Sequence, residues 1–555
     1  MSFFDDASLI FLPSGQAGKD GKAYSMKPTN GDGDFTFSRG SNLTATRIDS
    51  NGLIAKGREN LITQSNDLSD FTPQGLTTTP NQADPFGGNN ATLFTENLSG
   101  GNHRFYLLNV PSSSAVHTYS MYIKYSGRSR FKLVINGGNP NATFNTQTGA
   151  HITDSGNIID YKTESIGNDW HRVSFASVCS GWVGGYFVND SGQDSYTGDG
   201  TSGVVLFGAQ VELGLVATEY ISSGASSGKG GLLEHSPRFD YSGGASCASL
   251  LLERSRTNEI GYSEYFEGWT PQGSPTITSN YGTSPEGLQN SSRLIYTTDS
   301  DYIETSVTNT SGVFTLYAKG TGNLILTDSG ANASSTTALT SSYQRIELYF
   351  STNTTTLQIK TDSSGLDAEV YAAQFENATY KTSYIPNHSG GSVTRDADIT
   401  SVTSVSDLIG QTEGTMYCEF EYNGAADSGV YNRIIGLGTG VTQNRILLAK
   451  NDTTAELVAF AVSGGTTQVF QAISGTSIIG HHKVAMSYKA NEYKVYLDGE
   501  LEFTDTSASV PATTDVYIGT AEDSTTYNEL GGVVKQAIIF KEVLSEDDCK
   551  ALTTI

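Results

Sequence analysis

Basic residues are scarce in this chain: 33 lysines and arginines stand against 58 acids in 555 residues, for a formal net charge of −25 and a pI near 4.6. Attraction to a phosphate backbone or an anionic membrane needs the opposite sign, so nucleic acid is not expected as a partner. Cysteine is scarce as well, and Cys179, Cys247, Cys418 and Cys549 lie far apart with no CxxC or Cys/His cluster. That spacing excludes the usual zinc motifs, and free, mostly buried thiols suited to assembly in a reducing cytoplasm are expected. No apolar run approaches the length that spans a bilayer, so membrane insertion is not expected. The first residues, MSFFDDASLIFL, carry acids where a signal peptide carries bases, and export by the general secretory route is not expected either. Charged residues make up only 16% of the chain and no amphipathic helical pattern exceeds two turns, which leaves little material for a helical fold.

What is plentiful is glycine, 61 residues, together with Ser, Thr and Asn, a composition that suits many short strands joined by turns. The chain also repeats itself. RENLITQSNDLSDFTPQG from Arg58 and RTNEIGYSEYFEGWTPQG from Arg256 share eight of eighteen positions at an offset of 198. Tyr119–Lys124 answers Phe314–Lys319 at 195, Arg172 answers Arg345 at 173, and the closing strings Ala209–Glu212 and Thr218–Ile221 answer Ala373–Glu376 and Thr382–Ile385 at 164. The order is the same throughout, so these are two related units, and the falling offset places about 34 extra residues in the first, expected mostly as longer loops. Period-two patterns such as Tyr119/Met121/Ile123 and Leu324/Leu326 predict half-buried strands and jelly-roll sandwiches.

These patterns divide the chain into an N-terminal segment 1–57, a first jelly-roll unit 58–222, a Gly/Ser-rich connector 223–255, a second unit 256–388, a linker 389–408 and a last domain 409–555. The connector reads as flexible by composition. Phe35-Thr-Phe37-Ser38 predicts a strand in the N-terminal segment, completed by a partner or by the domain that follows. In the last domain Asp498-Gly499 between alternating strands predicts a two-residue hairpin, and Ser545 with Asp548 predicts the N-cap of a closing helix.

The run from Tyr493-Lys-Val-Tyr-Leu-Asp-Gly-Glu500 through Val516-Tyr-Ile-Gly519 to Val543-Leu-Ser-Glu-Asp-Asp548 resembles the laminin-G/concanavalin-A-like lectin sandwich over about 409–555. The resemblance implies a two-sheet jelly roll of a kind that often binds glycan or protein. Upstream, FTFSRG (Phe35–Gly40), ATRIDSNGLI (Ala45–Ile54), GDGTSGVVLFGAQVE (Gly198–Glu212), SPRFDY (Ser236–Tyr241) and LLLERSRTN (Leu250–Asn258) resemble tailed-bacteriophage head-fibre, head-spike and tail-fibre proteins with carbohydrate-binding-module-like jelly rolls. In this chain SPRFDY and LLLERSRTN follow a complete first jelly roll, as a duplication or insertion would leave them. The implied fold is all-β: tandem jelly-roll sandwiches plus a C-terminal laminin-G/concanavalin-A-like sandwich.

No catalytic site is expected. The chain has no GxSxG elbow, HExxH, P-loop or Rossmann fingerprint, and no E-x-D-x-E string of the kind glucanases on the C-terminal fold carry. Glu419/Glu421 and Glu500/Glu502 read as solvated strand faces, and Gly436–Gly440 as a turn. Asn30/Asp32/Asp34 and Asp190/Asp194/Asp199 could offer oxygen ligands to calcium but reproduce no calcium loop and read as turns, so neither metal nor cofactor is expected. Aromatics are the candidate sugar platform. Trp269 aligns with Phe71 and Trp170 with Tyr343, which marks them as core, whereas Trp182 has no counterpart and, with Tyr186, is the candidate carbohydrate-binding pair.

The expected protein is therefore non-enzymatic and located in a virion assembled in the host cytoplasm, a head or tail fibre or decoration that binds host-surface glycan. Other virion proteins would be partners through the N-terminal segment, and a homo-oligomer, a trimer by preference, would add avidity. The alternatives are a purely structural capsid or tail cement without glycan binding, and a polysaccharide depolymerase.

Overall fold

The alternating segments become strands whose buried faces meet. The structure, a computed structural model, describes residues 3–15, 21–40, 43–135, 139–422, 424, 431–521 and 529–555. It is an all-β protein of two related jelly-roll sandwiches and a C-terminal two-sheet sandwich. Among the described residues no helix is long and apolar enough to cross a membrane.

In the first unit, a front sheet runs in the order His151–Ser155, Asn141–Asn145, Arg130–Ile135, Val183–Val188, Arg104–Leu107, Thr72–Gln74. A back sheet runs Ile158–Gly167, Trp170–Cys179, Ala115–Ser126, Gly203–Leu213, Ala91–Glu96, Leu76–Gln82. Phe94, Phe105, Tyr119, Met121, Phe131, Phe175 and Phe187 fill the space between them. The second unit repeats the plan with two long strands, Tyr302–Asp328 and Gln344–Lys360, that pair with each other through irregularities in register and serve both sheets. Its core includes Phe266, Trp269, Phe314, Phe350 and Phe375. The extra residues of the first unit are not all loop. Where the offset falls from 195 to 173 the chain adds two strands, His151–Ser155 and Ile158–Gly167, one at the edge of each sheet. Their faces are largely exposed, so they carry little of the apolar alternation that marks a strand.

The duplicated strings turn out to be a latch. Asn60 Nδ2 donates to Ala209 O (3.0 Å) and Ile221 O (2.9 Å), and Asn258 Nδ2 does the same to Ala373 O (3.3 Å) and Ile385 O (3.0 Å). Glu212 accepts from the Thr218 backbone N–H and hydroxyl, as Glu376 does from Thr382. Arg172 and Arg345 donate to the carbonyls of Thr218 and Thr382 at 2.6 and 2.7 Å. Each unit thus ties its closing segment to its first strand through buried polar groups that would otherwise be unsatisfied.

Four expected boundaries are corrected. Segment 1–57 is neither separate nor completed by the unit that follows it. Ala7–Phe11 pairs with Gly532–Phe540, and Phe35–Ser38 pairs with Ile399–Val402. Leu9, Phe11, Phe35 and Phe37 lie in the same core as Met416, Val484 and Ile539, because the last domain has inner faces that its own strands do not cover. Domain 409–555 is accordingly incomplete by itself. Its two eight-stranded sheets also take Phe239–Asp240 and Ser249–Leu252 from the connector 223–255 and Ile399–Val402 from the linker 389–408. The connector's glycines are packed, not free: Gly228–Gly231 pairs with 57–60, and a Cβ at Gly228 would lie 2.4 Å from Ser222 O. In the linker, Val393–Arg395 pairs with Arg256–Asn258. The Asp498-Gly499 hairpin forms as expected, both residues at positive φ (52° and 92°), and Ser545 caps the helix Glu546–Thr553 by accepting from Asp548 N at 3.1 Å. All four cysteines are free; Cys247 is exposed and the other three are buried.

A buried ion cluster joins these pieces. Asp398 accepts from Arg39 (3.2 Å), from Arg238 and from the Glu253 backbone N–H (2.9 Å), while Glu253 pairs with Arg238 (2.6 Å) and Arg395 (3.0 Å). Burial opposes the charge on Glu253, yet Arg395 and Arg238 hold its carboxyl well below the usual range. The strings FTFSRG, SPRFDY and LLLERSRTN, more than 200 residues apart at their extremes, supply Arg39, Arg238 and Glu253 to this cluster.

Candidate functional site

Side chains alternate across the front sheet of the first unit, so burying Phe105, Phe131, Leu133, Val183 and Phe187 turns the intervening residues outward. The ladders then assemble two transverse rows. One reads Gln74, Arg104, Tyr186, Lys132; the next reads Thr72, Tyr106, Gly184, Val134, with Trp182 just beyond the strand end. The two residues singled out from sequence therefore meet on one face, joined by Arg104, Tyr106 and Gln74, which the sequence reading did not select.

Arg104 organises the face. Its guanidinium carbon stands 5.3, 5.8 and 5.5 Å from the ring centroids of Tyr106, Trp182 and Tyr186. Its Nε donates to Gln74 Oε1 at 2.8 Å and its Nη1 to the Tyr186 hydroxyl at 2.6 Å. Trp182 lies edge-on to Tyr106 at 6.0 Å. Tyr186 is only 7% exposed, so it is the floor of the face and Trp182 and Tyr106, both half-buried, are its contact surface. Lys132 beside them is held by Asp194 at 2.6 Å. A guanidinium sandwiched among rings keeps planar apolar surface and hydrogen-bond donors side by side, which is what the two faces of a pyranose require.

The glycine pair allows close packing on both sides of its strand. At Gly184, between Tyr106 and Val134, a Cβ would collide with the Phe105 carbonyl oxygen. Gly185 points inward, where a Cβ would lie 2.4 Å from Phe131 and 2.8 Å from Phe105. Replacing Gly185 with valine is expected to cost about 1–3 kcal/mol of first-unit stability by overpacking, read as a lowered melting transition.

The second unit lacks this platform at the equivalent places. Ile303, opposite Pro271 as Phe105 is opposite Pro73, sets the register, so Tyr302, Glu304, Thr356, Gln358 and Lys360 stand where the first unit has Arg104, Tyr106, Trp182, Gly184 and Tyr186. There Lys360 lies over Tyr302 at 4.3 Å, and Gln272 and Gln358 both donate to Glu304. The platform is a property of one copy only. The alternation Arg104-Phe105-Tyr106 was the available signal for its missed members, and Gln74 was hidden inside the repeated TPQG string.

The other sequence candidates have local roles. Trp170 and Trp269 are buried in the two units, at 2% and 3% exposure. Asp32 bonds Asn30, Asp34 accepts from Ser25, Asp190 from Ser129, and Asp199 from the turn at Thr201 and Ser202. Glu419 pairs with His481 and Glu421 with Lys535. Among the described residues no group of three or more His, Cys, Asp or Glu is placed to hold a metal.

No protein-family model and no curated protein sequence matches the chain. Among solved structures it is similar to the Ruminococcus gnavus IT-sialidase CBM40 bound to α2,3-sialyllactose, at 18% identity over 28% of this chain and 91% of that one, with a TM-score of 0.24. It is also similar to domain 4 of AbnA, an extracellular arabinanase of Geobacillus stearothermophilus, in complex with arabinotriose (12% identity, 28% and 73% coverage, TM-score 0.23). Domains LG4-5 of the mouse laminin α1 chain match at 9% identity over 45% of this chain and 92% of theirs, with a TM-score of 0.19.

Proposed function

We propose that this chain is a non-enzymatic adhesion protein that binds glycan on the front sheet of its first jelly roll, as a fibre or decoration on the head or tail of a bacteriophage particle. The observation that carries the glycan reading is the Arg104-centred face, with Trp182 and Tyr106 presented over Tyr186. The virion reading is supported by the FTFSRG, ATRIDSNGLI, SPRFDY and LLLERSRTN strings. The strands of 7–38 are committed to the C-terminal sandwich and the hairpin of 46–60 packs against the second unit, so attachment to the particle is assigned to an assembled surface and not to a free N-terminal arm. Self-association, as a trimer, would convert weak single-site affinity into useful avidity.

Trp182→Ala is expected to weaken glycan binding by about 1–3 kcal/mol, roughly tenfold to a hundredfold, with the melting transition little changed because the ring is half-buried. A glycan array probed with the full chain and with this variant measures it. The full chain is needed because 409–555 lacks strands supplied from elsewhere. Silence of the folded wild-type protein across the array would favour a cementing role, and new reducing ends on incubation with host polysaccharide would favour a depolymerase. Immunogold labelling of particles tests the location.

A further inference from the structure

A sizeable cavity lies elsewhere, between the second unit and the elements knitted into the C-terminal sandwich. Its volume is about 790 Å³, inside the range of roughly 300–1,000 Å³ that ligand pockets occupy, and domain junctions are where such pockets recur. One wall is the outer face of the second unit's back sheet, with Tyr317, Arg345 and Tyr349. The other is built from the hairpin of Thr46–Ile48 and Ile54–Asn60, the strand Ser249–Leu252 and Val533.

Charge in this cavity is unevenly committed. Its three carboxylates are engaged: Glu253 by Arg238 and Arg395, Asp240 by the backbone N–H groups of Ile48 and Ser242, and Glu347 by Lys381 at 2.8 Å. Its two guanidiniums are not paired in the same way. Arg47 donates to Phe239 O at 2.8 Å, and Arg345 donates to Thr382 O and Thr315 Oγ1; neither makes an ion pair among the described residues, and the Nε of each is buried without an acceptor. Asp240 and Asp49 act on Arg47 only through space. In a chain with 58 acids to 33 bases, two cations facing one cavity without a bonded carboxylate are conspicuous.

The twin unit shows that the space is not inherent to the fold. Arg172 lies 5.4 Å from the ring of Tyr122 as Arg345 lies 5.5 Å from Tyr317, but in the first unit Phe86 stands edge-on against Tyr122 at 5.4 Å and closes that face. The residue in place of Phe86 is Glu286, which turns away to Lys56 and Arg58. What remains is a recess with tyrosine rings on one wall and guanidinium donors on two.

We propose that this recess is a second saccharide site, separate from the Trp182 face, which takes an acidic di- or trisaccharide with its carboxylate at Arg47 and Arg345 and a sugar ring against Tyr317 and Tyr349. It bridges the second unit to the C-terminal sandwich, so occupancy also stiffens that junction.

Titration calorimetry of the full chain with digalacturonate and with sialyllactose, and with lactose as the neutral control, tests it. Saturable binding of at least one acidic sugar, weaker binding of lactose, and weakening at higher ionic strength are expected. Arg47→Gln should lower that affinity about tenfold. Tyr349→Ala, at a ring that is 45% exposed and so outside the core, should lower it severalfold, and Trp182→Ala should leave it unchanged. Failure of both acidic sugars to bind, binding indifferent to Arg47→Gln and Tyr349→Ala, or binding lost in Trp182→Ala would each overturn the assignment. The last outcome would move acidic-sugar binding to the front-sheet face and leave the glycan reading of that face intact.

Discussion

Replacing Asp398 with alanine is expected to destabilise the C-terminal sandwich by about 3–5 kcal/mol, the largest effect of any single substitution considered. Asp398 and the guanidiniums of Arg39 and Arg238 are fully buried, so removing the carboxylate leaves two cations in a low-dielectric interior with less counter-charge. The Glu253 backbone N–H loses its acceptor in the same step. Because Arg39 follows the strand Phe35–Ser38, Arg238 and Glu253 flank strands of the connector, and Asp398 precedes Ile399–Val402, the loss falls where three distant segments enter one sandwich. Hydrogen exchange resolved by segment should show protection lost first at 7–11, 35–38 and 399–402, with the first unit unaffected. The triple replacement Arg39→Met, Arg238→Met, Asp398→Leu should recover part of the loss, since an apolar set needs no counter-charge. A change below about 1 kcal/mol in the single variant would mean that the cluster contributes nothing to cohesion.

Acid should separate the two jelly rolls. His117 on Ala115–Ser126 donates from Nδ1 to the carbonyls of Ala115 and Cys179, and His388 sits across the junction, where its carbonyl accepts from Val116 N at 2.8 Å. Burial pushes the pKa of each from 6.5 down to about 4, Lys56, Arg58 and His117 adding to the effect at His388 and Glu264 opposing it. A histidine held neutral in the fold binds fewer protons than in the unfolded chain. Its contribution is therefore complete above pH 6.5 and is lost progressively as pH falls from 6.5 to 4, on the order of 3 kcal/mol for each ring. Glu264 extends the loss to lower pH: burial opposes its charge, but Lys56 and its neighbours hold it at about 2, so its stabilisation disappears below the ordinary value of 4.5. Thermal unfolding followed from neutral pH to pH 4 should show a steep decline, and His117→Gln should flatten the part of it between 6.5 and 4. An unchanged slope in that variant would remove His117 from the account.

The sequence was most legible where one strand or turn decides its own geometry. Asp498-Gly499, Ser545 and the alternation through Tyr119, Met121 and Ile123 needed nothing beyond local backbone and burial preferences. It was least legible where glycine served close approach. Gly228–Gly231 reads as a flexible connector because composition does not distinguish a glycine that is free from one that has a carbonyl 2.4 Å from its missing Cβ. The edge strands His151–Ser155 and Ile158–Gly167 are illegible for a related reason: with both faces largely exposed, they lack an apolar stripe.

The candidate face was half visible. Trp182 stood out because the second copy has no counterpart, and Tyr186 because it shares the glycine-rich segment GWVGGYF with it. Arg104 and Gln74, 30 residues apart in the chain, become neighbours only through antiparallel pairing of Arg104–Leu107 with Thr72–Gln74.

By itself, then, the sequence determined the all-β class, the duplication and the order of the units, because strand periodicity, turn chemistry and repeated strings are local properties. Only the tertiary structure decided where the N-terminal strands go, that the strings FTFSRG, SPRFDY and LLLERSRTN converge on Asp398, and that one jelly roll carries an aromatic face while the other leaves a charged recess. Those outcomes depend on pairing register and on the burial of charge between segments hundreds of residues apart, and neither is written in any one stretch of chain.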